Sequence, residues 1–328
     1  MNSQIKTLFI GSGIFAVEIL TGLLKNPSVD LVGIITQPDK PVGRNQDLAE
    51  SAVGEFAKIF GLSKTALIFK PEKLKLDADE ILNQTRPDLI IVADYGQMIP
   101  ETIINYPKFK CLNVHGSLLP DLRGAVPIPI AILRGYNQTG VSIPIMTTGL
   151  DDGDVLASEE IEIAINDTAE TLKQKLAHLG SALLNDTLLP WTKGKLIPVK
   201  QDDSNASITW RKDIAKDQAE ITLSTNALQA ERMIRAFYSW PIAWCRIQNH
   251  DGSKILRLKI IQAELADELT FVQLNHENQE ILFERLNKEL FMVFPDLALK
   301  LIKVQPEGKK IIKGSNMLFL AGYRFSKN

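Results

Sequence analysis

Cysteine is nearly absent from this chain of 328 residues: there are two, Cys111 and Cys245. So few thiols, so far apart, exclude a disulfide framework or a cysteine-based zinc site. They suit two packed side chains in a reducing compartment. Also missing is any run near the roughly 18 uninterrupted apolar residues that a membrane span needs. Met1-Asn2-Ser3-Gln4-Ile5-Lys6 offers no basic stretch, apolar core or small-residue cleavage site, so no export signal and a cytoplasmic location are expected. The net charge of -2 excludes a molecule that is a polycation throughout. There is no internal repeat and no low-complexity tract.

What is present is ordinary in amount and uneven in place. Hydrophobic residues make up 45% and charged residues 23%, enough for a proper core, and the length suggests two domains. From Ser204 to Asn328 there are 18 Lys and Arg against 14 Asp and Glu, while the rest of the chain has 19 against 25. Seven of those cations (Lys300, Lys303, Lys309, Lys310, Lys313, Arg324 and Lys327) fall in the last 29 residues, opposed only by Glu307. A local basic stripe can attract a polyanion although the total charge is negative; a solvated surface is the plainer alternative.

The first third alternates apolar runs with helical spacing. Ile5 to Gly11, Leu31 to Ile35 and Asp88 to Ala93 read as buried strands, with helices at Phe15 to Leu24 and Ala52 to Phe60. Continuous apolar strands separated by helices predict a parallel, doubly wound, Rossmann-like α/β sheet with ligand sites at the strands' carboxyl ends. Runs at Gly140 to Ile145 and Asp154 to Ile163 flank a Gly/Asp-rich turn, and Thr168 to Leu189 reads as a closing helix. Gln201-Asp202-Asp203-Ser204-Asn205 is a polar break, which divides the chain into domains at about 1–203 and 209–328. Beyond a helix at Asn226 to Phe237, strands are expected at Ala243 to Ile247, Ile255 to Ile261, Leu269 to Leu274, Leu290 to Val293 and Leu297 to Val304, forming a small OB-like β-barrel.

Two motifs carry chemistry. Gly11-Ser12-Gly13-Ile14-Phe15-Ala16 fits G-x-G-x-x-A between a strand and a helix, the pattern of a dinucleotide site. Such a site wants an acid at the end of the second strand, and here that strand ends Ile35-Thr36-Gln37-Pro38. The glycines therefore read as a tight turn and close helix packing. In Cys111-Leu112-Asn113-Val114-His115-Gly116, residues two apart in extended chain share a face, so Asn113 and His115 aim at one place. An amide N–H can hold an oxyanion and an imidazole can move a proton near neutral pH, a pair suited to acyl transfer. A carboxylate to orient the histidine is available in Gly149-Leu150-Asp151-Asp152-Gly153-Asp154. For Asn-x-His alone, a capped strand end with a packed histidine is the alternative.

Asn113-Val114-His115-Gly116-Ser117-Leu118-Leu119-Pro120, then Arg123-Gly124-Ala125 and Pro127, then Gly149-Leu150-Asp151 with Gly153-Asp154, closely resembles the folate-dependent formyltransferases. The resemblance covers nearly the whole chain. It implies that Asn113, His115 and Asp151 are catalytic and that Ser117, Leu118, Leu119 and Pro120 bind tetrahydrofolate. It also implies that Ala93, Asp94, Tyr95 and Gly96 line the pterin pocket. The closest likeness is to the branch that moves the formyl group of 10-formyltetrahydrofolate to the α-amine of methionyl initiator tRNA. In that branch Arg44, in Gln37 to Arg44, belongs to a loop that contacts the acceptor end, and Lys309 and Lys310 form a basic turn. No metal is implied, no membrane, and a monomer is expected. A sugar-nucleotide N-formyltransferase and a non-catalytic nucleic-acid-binding module are the rivals; the basic carboxyl half argues against the first, the intact triad against the second. Asp47 and Glu50 follow Arg44 where basic residues are usual, and Thr147 stands where an acid is common. Acids beside a phosphate backbone should weaken docking by that loop.

Overall fold

The computed structural model describes residues 4–42, 46–248, 255–274, 282–317 and 324–325. The chain divides into two compact units: Met1–Pro127 with Gln138–Glu162 and Lys173–Ile208, and Ile128–Asn137 with Ile163–Leu172 and Thr209–Asn328.

In chain order the first half contributes β1 (Ile5–Gly11), α1 (Ile14–Lys25), β2 (Val29–Ile35), β3 (Lys40–Val42), β4 (Asp47–Ala49), α2 (Ala52–Ile59), β5 (Leu67–Phe69) and α3 (Leu74–Thr85). Then come β6 (Leu89–Ala93), α4 (Glu101–Asn105), β7 (Cys111–Asn113), β8 (Arg123–Gly124), α5 (Pro127–Leu133), β9 (Gln138–Pro144), β10 (Val155–Glu162) and α6 (Ala169–Thr192). Strands β5-β2-β1-β6-β7 form one sheet in that order, and every neighbouring pair is parallel. The chain starts in the middle and winds outward both ways, which places the strand-order switch beside β1 and the carboxyl ends of β1, β6 and β7 together. All five residues of β6 are buried, as a strand covered on both faces requires.

The glycine turn after β1 is a packing device. A Cβ on Gly11 would lie 2.7 Å from Ala16 Cβ and from the Ala93 carbonyl oxygen, and one on Gly13 would overlap the Asp94 carboxylate. The two glycines thus admit the close approach of the chain's own 93–94 segment. Helix α6 presses on the far side of the sheet: a Cβ on Gly180 would approach Val114 Cγ1 to 2.8 Å. Val114 is buried there, so the residues on either side of it point to the opposite face of the extended segment.

The rest of the chain adds β11 (Ile208–Thr209), α7 (Ala227–Ala236), β12 (Trp244–Gln248), β13 (Ile255–Leu265), α8 (Glu268–Gln273), β14 (Leu282–Leu286), β15 (Glu289–Val293), β16 (Ala298–Pro306), β17 (Ile312–Lys313) and β18 (Arg324–Phe325). Strands β13-β12-β18-β14-β15-β16-β17 form an antiparallel sheet, and β13 also pairs with β16, which curls the sheet into a barrel. Cys245, Ile247, Leu258, Ile260, Phe283, Met292, Leu301 and Val304 fill its interior together with Phe237.

One expected strand is a helix. Leu269 to Leu274 falls on α8, whose N-cap Asp267 accepts from the Thr270 backbone N–H at 2.7 Å. That hydrogen bond holds the Asp267 carboxyl below its usual pKa. Leu269 and Val272 are exposed while Phe271 and Leu274 pack into a small core, a spacing of three residues that fits one helix face and not the alternation of a strand. The cap, with Glu268 in the first turn, carries the information that the apolar count missed. Both cysteines are buried and free, and burial pushes both thiols up. Among the described residues no helix is long and apolar enough to cross a membrane.

Candidate functional site

Asn113 is the last residue of β7 and pairs with Val92 of β6, at the carboxyl end of the parallel sheet. Two residues on, His115 exchanges backbone hydrogen bonds of 2.9 and 3.0 Å with Ser142 of β9. This pairing keeps 113–115 extended, and both side chains reach the same carboxylate. Asp151 Oδ1 accepts from Asn113 Nδ2 at 3.2 Å, and its Oδ2 accepts from the Gly124 backbone N–H at 2.8 Å. Oδ2 also lies 3.6 Å from His115 Nδ1. Asp151 itself sits in left-handed backbone, φ 49°, a conformation that non-glycine residues adopt only when their surroundings hold them there.

His115 is 5% exposed and its Nε2 lies 3.0 Å from the Leu122 carbonyl oxygen. A carbonyl only accepts, so Nε2 carries a hydrogen and Nδ1 is the basic nitrogen of the neutral ring. Sequence offers Asp151 to orient the ring; the structure adds the Leu122 carbonyl as the contact that selects the tautomer. The Asp151 carboxylate faces Nδ1 from 3.6 Å, just beyond hydrogen-bond range.

The other expected site residues lie around this corner. Ala93 ends β6, and Asp94, also left-handed at φ 45°, accepts from the Ser12 N–H through its carbonyl and pairs with Lys173 at 3.4 Å. The Tyr95 hydroxyl is buried with no hydrogen-bond partner among the described residues, and burial pushes its pKa up to about 12. Gly96 is exposed next to it. Ser117 is buried and donates to the Asp121 carbonyl at 2.7 Å, so its hydroxyl serves the turn itself. Ser142 Oγ donates to the Ser117 carbonyl at 2.9 Å and accepts from Leu119 N–H at 3.0 Å, which ties the Ser117 to Pro120 turn, with its cis Leu119–Pro120 bond, to β9. Leu118, Leu119 and Pro120 remain partly exposed. Thr147 caps the Asp151 turn, bonding the Asp152 carboxylate and accepting from Gly149 N–H. Among the described residues no three His, Cys, Asp or Glu side chains cluster as a metal site.

Arg44 lies outside the described residues. Of the two acids after it, Glu50 is countered by Lys58 at 3.2 Å and Lys70 at 3.7 Å, while Asp47 is exposed.

In the second unit Lys309 and Lys310 are exposed in the turn between β16 and β17. Lys300 is paired with Glu289 at 3.2 Å. Strand pairing gathers further cations that the linear stripe does not contain. Lys303 stands directly opposite Lys313, and Arg246 opposite Arg257; Lys259 lies between Trp244 and Gln305. Arg257 stacks 3.8 Å from the Trp244 ring centre, with Arg246 at 5.4 Å and paired to Glu220. Arg246, Arg257 and Lys259 fall outside the sequence cluster, and only the barrel's register brings them alongside it.

A carboxyl-edge site of this kind belongs to a known class. Residues 4–188 match the family model described as formyl transferase, and residues 213–323 that of the formyl transferase C-terminal domain. The chain belongs to the formyl transferase family and is a formyl-transferring enzyme. It is 37% identical over 98% of its length to the methionyl-tRNA formyltransferase of Caldicellulosiruptor saccharolyticus, of which it covers 97%. To that of Bacillus licheniformis it is 36% identical, covering 97% of this chain and 95% of the relative. The fold is also that of an N-formyltransferase from Helicobacter canadensis, solved with folinic acid and dTDP-3-aminofucose, at a TM-score of 0.64 and 19% identity over 91% of this chain and 99% of that one.

Proposed function

We propose that the chain transfers the formyl group of 10-formyltetrahydrofolate to the α-amine of methionyl initiator tRNA, acting as a cytoplasmic monomer. The observation that carries the chemistry is the meeting of Asn113, His115 and the Gly124 N–H on the single carboxylate of Asp151. All four come from one chain, so one copy suffices.

Asn113 spends one amide hydrogen on Asp151 and keeps the other to stabilise the oxyanion that develops as the amine adds to the formyl carbon. His115, with Nε2 held by Leu122, presents Nδ1 to take the proton that the attacking nitrogen must lose. Asp151 stabilises the imidazolium so formed. When the bond from the formyl carbon to the folate nitrogen breaks, that nitrogen takes up a proton, and the net movement is one proton from amine to leaving nitrogen. On the donor side, the Tyr95 hydroxyl has its hydrogen bond still to make, which suits a heteroaromatic ring with a polar edge. The loop of Ala93, Asp94, Tyr95 and Gly96 and the turn of Ser117, Leu118, Leu119 and Pro120 would hold that donor.

The tRNA assignment is supported by the relatives' identities and by the barrel face. Like charges directly opposite on a sheet destabilise it, yet this sheet places Lys303 against Lys313 and Arg246 against Arg257. A phosphate backbone would neutralise both pairs. Lys309 and Lys310, and Arg44 in the first unit, complete the proposed RNA contacts. The test is incubation with radiolabelled 10-formyltetrahydrofolate and a panel of acceptors: methionyl-tRNA, free methionine and amino-sugar nucleotides. Label is expected in methionyl-tRNA alone; equal labelling of an amino-sugar nucleotide would move the assignment to the sugar branch.

A further inference from the structure

His115 and Asp151 both depend on one short segment: the Leu122 carbonyl holds the imidazole and the Gly124 N–H holds the carboxylate. That segment is itself constrained, with Leu122 at φ 57°, and so is Asp151 at φ 49°. Conformations of this kind persist only where the surroundings over-determine them. The surroundings here are the stretch 201–207, whose first five residues the sequence marks only as a polar break between domains. Ser207 accepts from the Arg123 N–H through its carbonyl at 2.8 Å and from the Leu122 N–H through Oγ at 3.0 Å.

Within that stretch Gln201 makes four hydrogen bonds. Its Oε1 accepts from Arg123 Nε at 3.0 Å and Nη2 at 2.8 Å. Its Nε2 donates to the Asp151 carbonyl at 2.8 Å and to the Gly153 carbonyl at 2.7 Å. Both Gln201 and Arg123 are 8% exposed. Arg123 Nη2 is anchored a second time by Asp203 Oδ1 at 2.7 Å, on a side chain 76% exposed. An amide is the one group that can do this: a glutamate at 201 would accept from Arg123 but could not donate, and a methionine would do neither.

We infer that Gln201, braced by Arg123, is a positioning residue for formyl transfer, holding the Asp151 turn in the left-handed form that brings its carboxylate to Asn113 and His115. This rests on the catalytic reading of Asp151 and deepens it.

The test is a double-mutant cycle in the full-length enzyme: Gln201→Met and Gln201→Glu, each alone and combined with Asp151→Asn. Alone, either change is expected to lower kcat on the order of ten- to a hundredfold, with KM for donor and acceptor within about twofold of wild type, as a misplaced reacting group does. Combined with Asp151→Asn, the further loss should be less than about twofold, because the route from Gln201 to the chemistry is already gone. Thermal melting and binding of 5-formyltetrahydrofolate identify variants that are folded. If Gln201→Met does not fold, Gln201→Glu, which keeps an acceptor for Arg123, carries the comparison. Wild-type kcat in a folded Gln201 variant, or a full multiplicative loss in the double mutant, would overturn the inference. Wild-type kcat in Asp151→Asn alone would instead overturn the catalytic reading beneath it.

Discussion

The proposed catalytic corner and the basic barrel face pose different physical problems. At the corner, Asn113, His115 and Asp151 are mostly buried, and each is held by directional contacts between 2.8 and 3.2 Å. On the barrel, Arg246, Lys303 and Lys313 are exposed, and among the described residues the acidic partner is Glu220, paired with Arg246. The first region works by geometry, where tenths of an ångström matter. The second works by a field that many arrangements of the same charges would produce. Damage to the corner should therefore be steep and specific to turnover, and damage to the face shallow, additive and dependent on salt.

The largest effect is expected at the shared acceptor. Asp151→Asn should lower kcat on the order of 10³-fold or more while the protein stays folded, since the change is nearly isosteric. Should the variant unfold and its refolded fraction work at the wild-type rate, Asp151 is a structural cap. Asn113→Ala and His115→Ala come next, each lowering the rate on the order of 10²–10³-fold with little change in folate affinity. Near-wild-type turnover in both would remove the corner from the chemistry.

Arg44→Ala tests whether the comparison has a middle case. Its loop is proposed to set the acceptor end against the formyl carbon, so turnover and affinity should both fall, by about tenfold each. An effect on affinity alone would class Arg44 with the barrel cations. For those, the logarithm of the acceptor binding constant should fall linearly with the logarithm of salt, by about 0.7 to 0.9 per phosphate neutralised. Lys309→Ala with Lys310→Ala should make that slope shallower by roughly one to two units and leave kcat at saturating acceptor unchanged. Lys303→Ala should do the same by roughly one unit and, by relieving the opposed Lys313, raise stability by about 0.5 kcal/mol in denaturant titration. A loss of stability there would show that the pair is not a strained one, and the smallest of these effects is the sharpest test of the face.

The two regions were also unequally visible in the chain. Asn113 and His115 are two residues apart on an extended segment, so their common direction follows from strand periodicity, and the strands β1, β2 and β6 follow from their apolar runs. The four apolar residues between Leu269 and Leu274 suggest a strand, whereas the cap at Asp267 decides for the helix α8. Gln201 gave no sign of its role: it stands 50 residues from Asp151 and 78 from Arg123, in a stretch whose composition says only that it is polar. The Leu122 carbonyl was invisible for a different reason, since every residue has a carbonyl and sequence does not say which one is aimed at an imidazole.

The chain's own order of residues thus determined which groups could do the chemistry and on what elements they sit, because periodicity and turn chemistry are local. Tertiary structure alone decided which nitrogen of His115 is basic, what holds Asp151 in place and which cations share a face. Those depend on hydrogen bonds and strand register between segments tens of residues apart, and the closing of β13 against β16 sets the barrel's register at a distance that no local pattern spans.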